Sequence, residues 1–156
     1  MPHKNFINDQ RSINPILSLF WEKLKTVKQF AITQEKEAPW QGSGTVHVLL
    51  ENETTILFDE KGTWERKNIA FTNKLRFRLY PDRISLEHLR FGETTPISLV
   101  DLMPEKDHSL RTLTPHLCGE DCYKAEAFLD KDGIRLVWDI KGPKKNHKIY
   151  SFYQAL

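Results

Sequence analysis

Two periods of apolar residues run along this chain. Asn14-Pro15 has the form of a helix start, with Asn at the N-cap and Pro at the first helical position. The run ILSLFWEKLK that follows carries apolar residues at helical spacing. Ile16, Leu19, Phe20 and Lys23 share one face and Leu17, Trp21 and Leu24 lie beside it, which predicts a helix to about Lys25. Beyond it the spacing becomes two, as in strands with one buried face. Phe30 pairs with Ile32, Val46 with Val48 and Leu50, and Ile56 with Phe58. Leu75, Phe77 and Leu79 alternate with Arg76, Arg78 and Tyr80, and Ile84, Leu86 and His88 alternate with Ser85 and Glu87. Further strands are expected at Ile97 to Leu102, Cys122 to Leu129, Ile134 to Lys141 and His147 to Tyr153. Turns are expected at Gln41–Gly44, Glu51–Glu53 and Pro81-Asp82, and a strand break at Lys61-Gly62 before a short extended piece from Trp64. Asp130–Gly133 reads as a hairpin connection with positive φ at the glycine. Pro104 to Thr114 reads as a polar loop.

The fold class that follows is mainly β. About nine or ten short strands joined by tight turns, with no second helix for a βαβ unit, predict one antiparallel up-and-down β-barrel. The N-terminal helix would close one end. Closure removes the exposed edges such a sheet would otherwise present.

The chain of 156 residues suits one domain, 1–156, with residues 1–10 as a tail and 14–25 as the helix. Apolar residues make up 39% and charged residues 28%, a globular composition. Net charge is +2 with both signs interspersed, so a nucleic-acid footprint is not expected. The basic turn from Gly142 to Lys148 reads as solvated. No stretch reaches the roughly 20 apolar residues of a membrane helix, and the first residues lack a signal-peptide core. A cytoplasmic protein without membrane contact is expected. Two cysteines, Cys118 and Cys122, are fewer than a disulfide-stapled secreted domain would carry.

Candidate chemistry gathers in His116-x-Cys118-x-x-Asp121-Cys122-Tyr123, which holds imidazole, thiol, carboxylate and phenol within one short segment. On a strand, Tyr123, Ala125 and Ala127 share a face, and the small alanines leave room for a ligand. A zinc site of His116, Cys118 and Cys122 with an open fourth position is permitted by spacing, but no second pair completes it, and no metal is assigned. Nucleophilic catalysis by Cys118 would need a base such as His116 or His147 in reach. Arg76, Arg78 and Arg135 lie on charged strand faces. Facing outward they are solvated; facing inward they would hold an anion by bidentate hydrogen bonds. Trp64, Phe77, Trp138 and Phe152 suit core packing first and a ligand wall second. His47 and His88 read as structural strand histidines. Glu60 and Glu65 could be drawn as a carboxylate pair, without a specific spacing.

The segment HLCGEDCY, with VWDIKGPKKNHKIYSFY after it, resembles the C-terminal signature of an uncharacterised bacterial family with a lipocalin-like or calycin-like barrel. That signature runs His-x-Cys-x-x-Asp-x-Tyr, then Trp-x-Val-x-Gly-Pro-x-Lys-Asp-Tyr, then Ser-x-Tyr. His116, Cys118, Asp121, Tyr123, Trp138, Gly142, Pro143, Lys145, Ser151 and Tyr153 match it. Upstream, the helix, Gly42-Ser43-Gly44, Glu60 with Gly62, and Arg76-Phe77 fall where the family has similar elements. Asn146-His147 replaces its Asp-Tyr, Ile97-Ser98 stands where it has Phe-His, and Cys122 occupies a variable position. The resemblance implies a cavity and brings no substrate and no cofactor.

Two functions are compatible with these residues. The first, which the residues favour, is a binding module for a small, partly apolar, anionic ligand. Arg76 and Arg78 would orient its acidic group, with His116, Cys118, Asp121, Tyr123 and Lys145 about the mouth. The second is an enzyme on the same barrel using His116, Asp121 and Tyr123 for acid–base work. Haem ligation by His116 or His147, and a side-chain-filled barrel acting through its surface or as a homodimer, are further expectations to test.

Overall fold

The computed structural model describes residues 12–35, 39–106 and 108–155. The tail expected at residues 1–10 lies outside them. Helix α1 (Pro15–Lys25) starts as its sequence predicts, with Asn14 Oδ1 accepting from the Ile16 amide at 2.8 Å. Its last turn is closed by the Thr26 hydroxyl, which donates to Lys23 O at 2.7 Å. The strands are β1 (Gln29–Glu35), β2 (Trp40–Asn52), β3 (Thr55–Trp64), β4 (Ile69–Leu79), β5 (Ile84–His88) and β6 (Ile97–Pro104), then β7 (Ser109–Thr112), β8 (His116–Cys118), β9 (Asp121–Asp130), β10 (Gly133–Gly142) and β11 (Lys145–Gln154).

Neighbouring strands are antiparallel throughout, and β11 returns to β1. The ring β1-β2-β3-β4-β5-β6-β7-β9-β10-β11 is therefore a closed barrel of ten strands, as the alternation predicts. β8 continues the line of β7 along the edge of β9. Between them the backbone leaves the ladder at Leu113 to Pro115. Thr112 Oγ1 fills the gap, accepting from Ala125 N at 3.1 Å and donating to Ala125 O at 3.2 Å.

One face of each strand fills the barrel. Phe30, Val46, Ile56, Phe58, Phe77, Ile84, Leu86, Leu136 and Tyr153 are all buried there. A slip of one residue would turn every one of them out, so burial fixes the register. Leu17, Phe20, Trp21 and Leu24 of α1 plug one end. The helix is tethered over it: Asn14 N donates to Pro81 O in the β4–β5 turn, and Lys23 Nζ to Lys131 O in the β9–β10 turn.

Several local expectations are corrected. Leu19 is 46% exposed, because the buried stripe of α1 runs through Leu17, Phe20, Trp21 and Leu24 rather than through Leu19. Gln41–Gly44 is no turn but part of β2, and Lys61-Gly62 does not break β3. Gly44 pairs with Gly62, and a Cβ on Gly44 would fall 1.9 Å from Lys61 O. A Cβ on Gly62 would meet the rings of Phe30 and Phe71 at 2.8 Å. Here glycine permits strands and rings to approach rather than the chain to turn. Pro104–Thr114 contains β7, whose alternation of Leu110 and Thr112 with polar residues is too short to read. Gly133 is absent from the positive-φ residues; it lies against Tyr153 O, with no room for a side chain. The space beside Ala127 is taken by Phe20 and Leu24, leaving a void of about 20 Å³.

Candidate functional site

The end of the barrel opposite α1 is not plugged by a helix. Here β1, β3, β5 and β10 reach their C-terminal ends, and β4, β6, β9 and β11 begin. The inward faces enclose a cavity of about 380 Å³. Its walls carry Ile32, Leu75, Leu99, Trp138, Ile140 and Ile149, and its polar lining is Gln34, Glu60, Asn73, His88, Tyr123, Ser151 and Tyr153.

At the inner end lies a chain of hydrogen bonds drawn from four strands. Tyr153 Oη donates to Glu60 Oε2 at 2.7 Å, and Asn73 Nδ2 donates to Glu60 Oε1 at 3.1 Å. His88 Nε2 lies 2.7 Å from Asn73 Oδ1. With the Asn73 amide turned to Glu60, its oxygen can only accept, so the imidazole donates from Nε2. Glu60 is 4% exposed. Burial pushes its carboxyl above the ordinary glutamate range, outweighing the two hydrogen bonds that pull it down. Burial, and then the charge of Arg90, holds His88 below the usual histidine value. Burial and the neighbouring Glu60 raise the Tyr153 phenol well above its ordinary range. Asn73 and His88 also line an outer hollow with Asp59, Thr72, Lys74 and Arg90, so they form the wall between the cavity and that surface.

The sequence-predicted cluster stands at the mouth. β8 pairs with β9 so that His116 faces Tyr123 and Cys118 faces Asp121. The rings of His116 and Tyr123 are 5.8 Å apart. Lys145 Nζ lies 3.2 Å from Asp121 Oδ2. Its ammonium is held above the usual lysine value, first by that hydrogen bond and then by Tyr123. A Cβ at Gly142 would collide with Asp121 Oδ1, so glycine there is what lets the carboxylate lie across β10. His116, Asp121, Tyr123 and Lys145 are thus brought together, with exposed Cys118 at the outer edge. Cys122 pairs with Leu117 and so takes the opposite face from Cys118, which separates the thiols of the considered zinc set. Among the described residues no three His, Cys, Asp or Glu side chains are grouped to hold a metal ion.

The arginines lie elsewhere. Arg76 and Arg78 alternate with Phe77, whose ring is in the core, so their side chains leave from the outer wall. Arg76 Nε lies 3.0 Å from Glu51 Oε1, and Arg78 Nε 3.2 Å from Glu87 Oε1. Arg135 is also outside, bonded to Asp130 at 2.9 Å and lying 4.7 Å above the Phe152 ring. The inward-anion expectation for these three is corrected: strand alternation that buries Phe77 and Leu136 must turn them outward.

The sequence pattern marks Glu60 only as half of an unspecific carboxylate pair with Glu65, which does not line the cavity; it marks neither Asn73 nor Tyr153 as a site residue, and it marks His88 as structural. A signal was present. Glu60 has the parity of Ile56 and Phe58, Asn73 that of Leu75 and Phe77, and His88 that of Ile84 and Leu86. A polar residue at an inward position of a barrel strand is a cavity residue.

Residues 21–155 match the sequence model of a family of unknown function (DUF6314), and the chain belongs to that family. No curated protein sequence matches it. Among solved structures, the S-type phycobiliprotein lyase CPES from Guillardia theta superposes with a TM-score of 0.61 at 9% identity, over 95% of this chain and 94% of that one. A redesigned beta barrel, mFAP1, bound to DFHBI, gives 0.45 at 11% identity, over 90% of this chain and 99% of that one. At 9% identity the likeness to the lyase is one of fold. None of the described helices is long and apolar enough to cross a membrane.

Proposed function

We propose that the protein binds a small, partly apolar molecule in the open half of its barrel. The observation that carries this is the cavity itself: about 380 Å³, walled by Trp138, Ile140, Ile149, Leu75 and Leu99, with hydrogen-bonding groups at its inner end. That volume lies in the usual range for small-molecule sites, and apolar walls with a few placed polar groups are their usual lining. A core designed only for stability would fill this space, as the α1 end is filled. Arg76 and Arg78, on the outer wall, are not placed to meet an acidic substituent of the ligand, and Lys145 at the mouth is already paired with Asp121. The test is native mass spectrometry of protein purified from its own host, beside a denatured sample. A mass excess lost on denaturation supports the reading. No excess, together with no displaceable apolar dye, would count against it.

A second reading, an enzyme on the same scaffold, is favoured by one feature. A buried carboxylate with a raised pKa in a cavity is the usual form of a general base. In that reading Glu60, rather than His116 or Asp121, does the proton transfer. Turnover surviving Glu60→Gln would remove it.

A further inference from the structure

Glu60 is a buried carboxylate whose bonded partners are neutral. Tyr153 and Asn73 each give it one hydrogen bond, and none of the ion pairs among the described residues includes it. The charged group that acts on it is Asp59, of the same sign. Buried carboxylates ordinarily have a cation beside them. Among the described residues no lysine or arginine lines the cavity with Glu60; Lys145 at the mouth is paired with Asp121, and Arg76 and Arg78 on the outer wall with Glu51 and Glu87. A carboxylate offers about four acceptor positions, of which two are occupied here.

Glu60 also lines the cavity. Three aromatic side chains, Tyr123, Trp138 and Tyr153, line the same space, and aromatic faces attract organic cations. The other titratable groups of the lining are those of Tyr123, Tyr153 and His88, and His88 already uses Nε2 to donate to Asn73. An acid entering the cavity would therefore meet a carboxylate, whereas a protonated amine would meet its missing counter-charge.

We infer that the cavity is selective for an organic cation: a protonated amine seated against Glu60, carried on an apolar body that lies along Trp138, Ile140 and Ile149. This rests on the cavity being a ligand site and names the class of ligand.

The experiment compares three probes of one shape, phenylbutylamine, phenylbutanol and phenylbutanoate, by calorimetric or NMR titration of the wild type and Glu60→Gln. The amine is expected to bind at least about tenfold more tightly than the alcohol, the scale of a charge-assisted over a neutral hydrogen bond. The carboxylate should bind most weakly, and Glu60→Gln should remove the preference while alcohol binding persists. An alcohol or carboxylate that binds as well as the amine would overturn the inference and leave the cavity reading standing. Amine selectivity that survives Glu60→Gln would also overturn it. Failure of all three probes would bring down both. The ranking within the wild type decides the matter even if the variant does not fold.

Discussion

Replacing Tyr153 by Phe removes a single oxygen from the inner end of the cavity. The ring keeps its packing, with Phe58 at 5.3 Å and Phe30 at 6.3 Å between centroids, so no new void of side-chain size is made. What is lost is the 2.7 Å hydrogen bond to Glu60 Oε2. A hydrogen bond to a charged group contributes roughly 1.5–3 kcal/mol. A cost of about 2 kcal/mol is therefore expected when Glu60 is ionised, which for a chain of this length lowers Tm by roughly 4–8 °C. Once Glu60 is protonated the bond becomes neutral, and the cost should shrink to about 1 kcal/mol. Urea unfolding of wild type and variant on either side of the pH at which Glu60 titrates measures both figures. In a Glu60→Gln background the same substitution should cost less, with a coupling of about 1 kcal/mol. A loss below about 0.5 kcal/mol with Glu60 ionised would refute the reasoning, because water in the cavity would then satisfy Glu60 as well as the phenol does.

Other expectations follow from the same geometry. The folded pKa of Glu60 is raised, so its contribution to stability is fully present below the ordinary glutamate range and is lost as pH rises through the raised value; Glu60→Gln should flatten that slope in thermal melts against pH. Arg76 is 6% exposed and holds the partly exposed Glu51 and Glu87 on the outer wall, so Arg76→Ala should cost about 3 kcal/mol in urea unfolding. It should leave ligand affinity unchanged, and a lost affinity would return the arginines to the site. Gly44→Ala drives a methyl into the β3 backbone and should cost more than about 3 kcal/mol, visible as loss of soluble, cooperatively melting protein. Tyr123→Phe should weaken ligand binding only a few-fold and leave Tm in place, since the Tyr123 ring is only half-buried at the mouth; a large drop in Tm would make it a structural residue instead.

The helix was legible because its start carries two independent signals, the Asn14 cap and Pro15, and a periodic apolar face. The hairpins from β9 to β11 were legible from the turn residues at Asp130–Gly133 and Gly142–Lys144 between β-rich runs. Legibility ended where a local signal has two physical causes. Glycine marks both turns and close approach, and at Gly42, Gly44 and Gly62 the second cause applies, set by Phe30, Phe71 and Trp64, which are far away in sequence. β7 was missed because its pairing with β6 and β9 is long-range, and its four residues carry too little pattern. No local rule says which strands will meet, so the convergence of Glu60, Asn73, His88 and Tyr153 was beyond a strand-by-strand reading.

Strand parity nevertheless joins the two halves of the candidate site. On β8 and β9, His116, Cys118, Asp121 and Tyr123 share the face of buried Ala125 and Ala127. On β10, Trp138 and Gly142 share the face of buried Ile134 and Leu136. On β11, Lys145, Ser151 and Tyr153 have one parity, and Ser151 and Tyr153 line the cavity. The residues between them, such as Cys122, Lys124, Val137, Asp139, Tyr150 and Phe152, take the other face. His116, Cys118, Asp121, Tyr123, Trp138, Lys145, Ser151 and Tyr153 thus share the inward parity of their strands. Barrel closure alone gives no reason for polar groups on the inside at one end. It would place an apolar residue at buried Ser151, as it does at Ile134 and Leu136, since polar groups buried inward cost free energy unless something bonds to them. Asp121 and Lys145 bond to each other, and Tyr153 bonds to Glu60. The polar inner surface therefore runs from Lys145 at the mouth to Glu60 at the inner end, along the length a bound molecule would occupy.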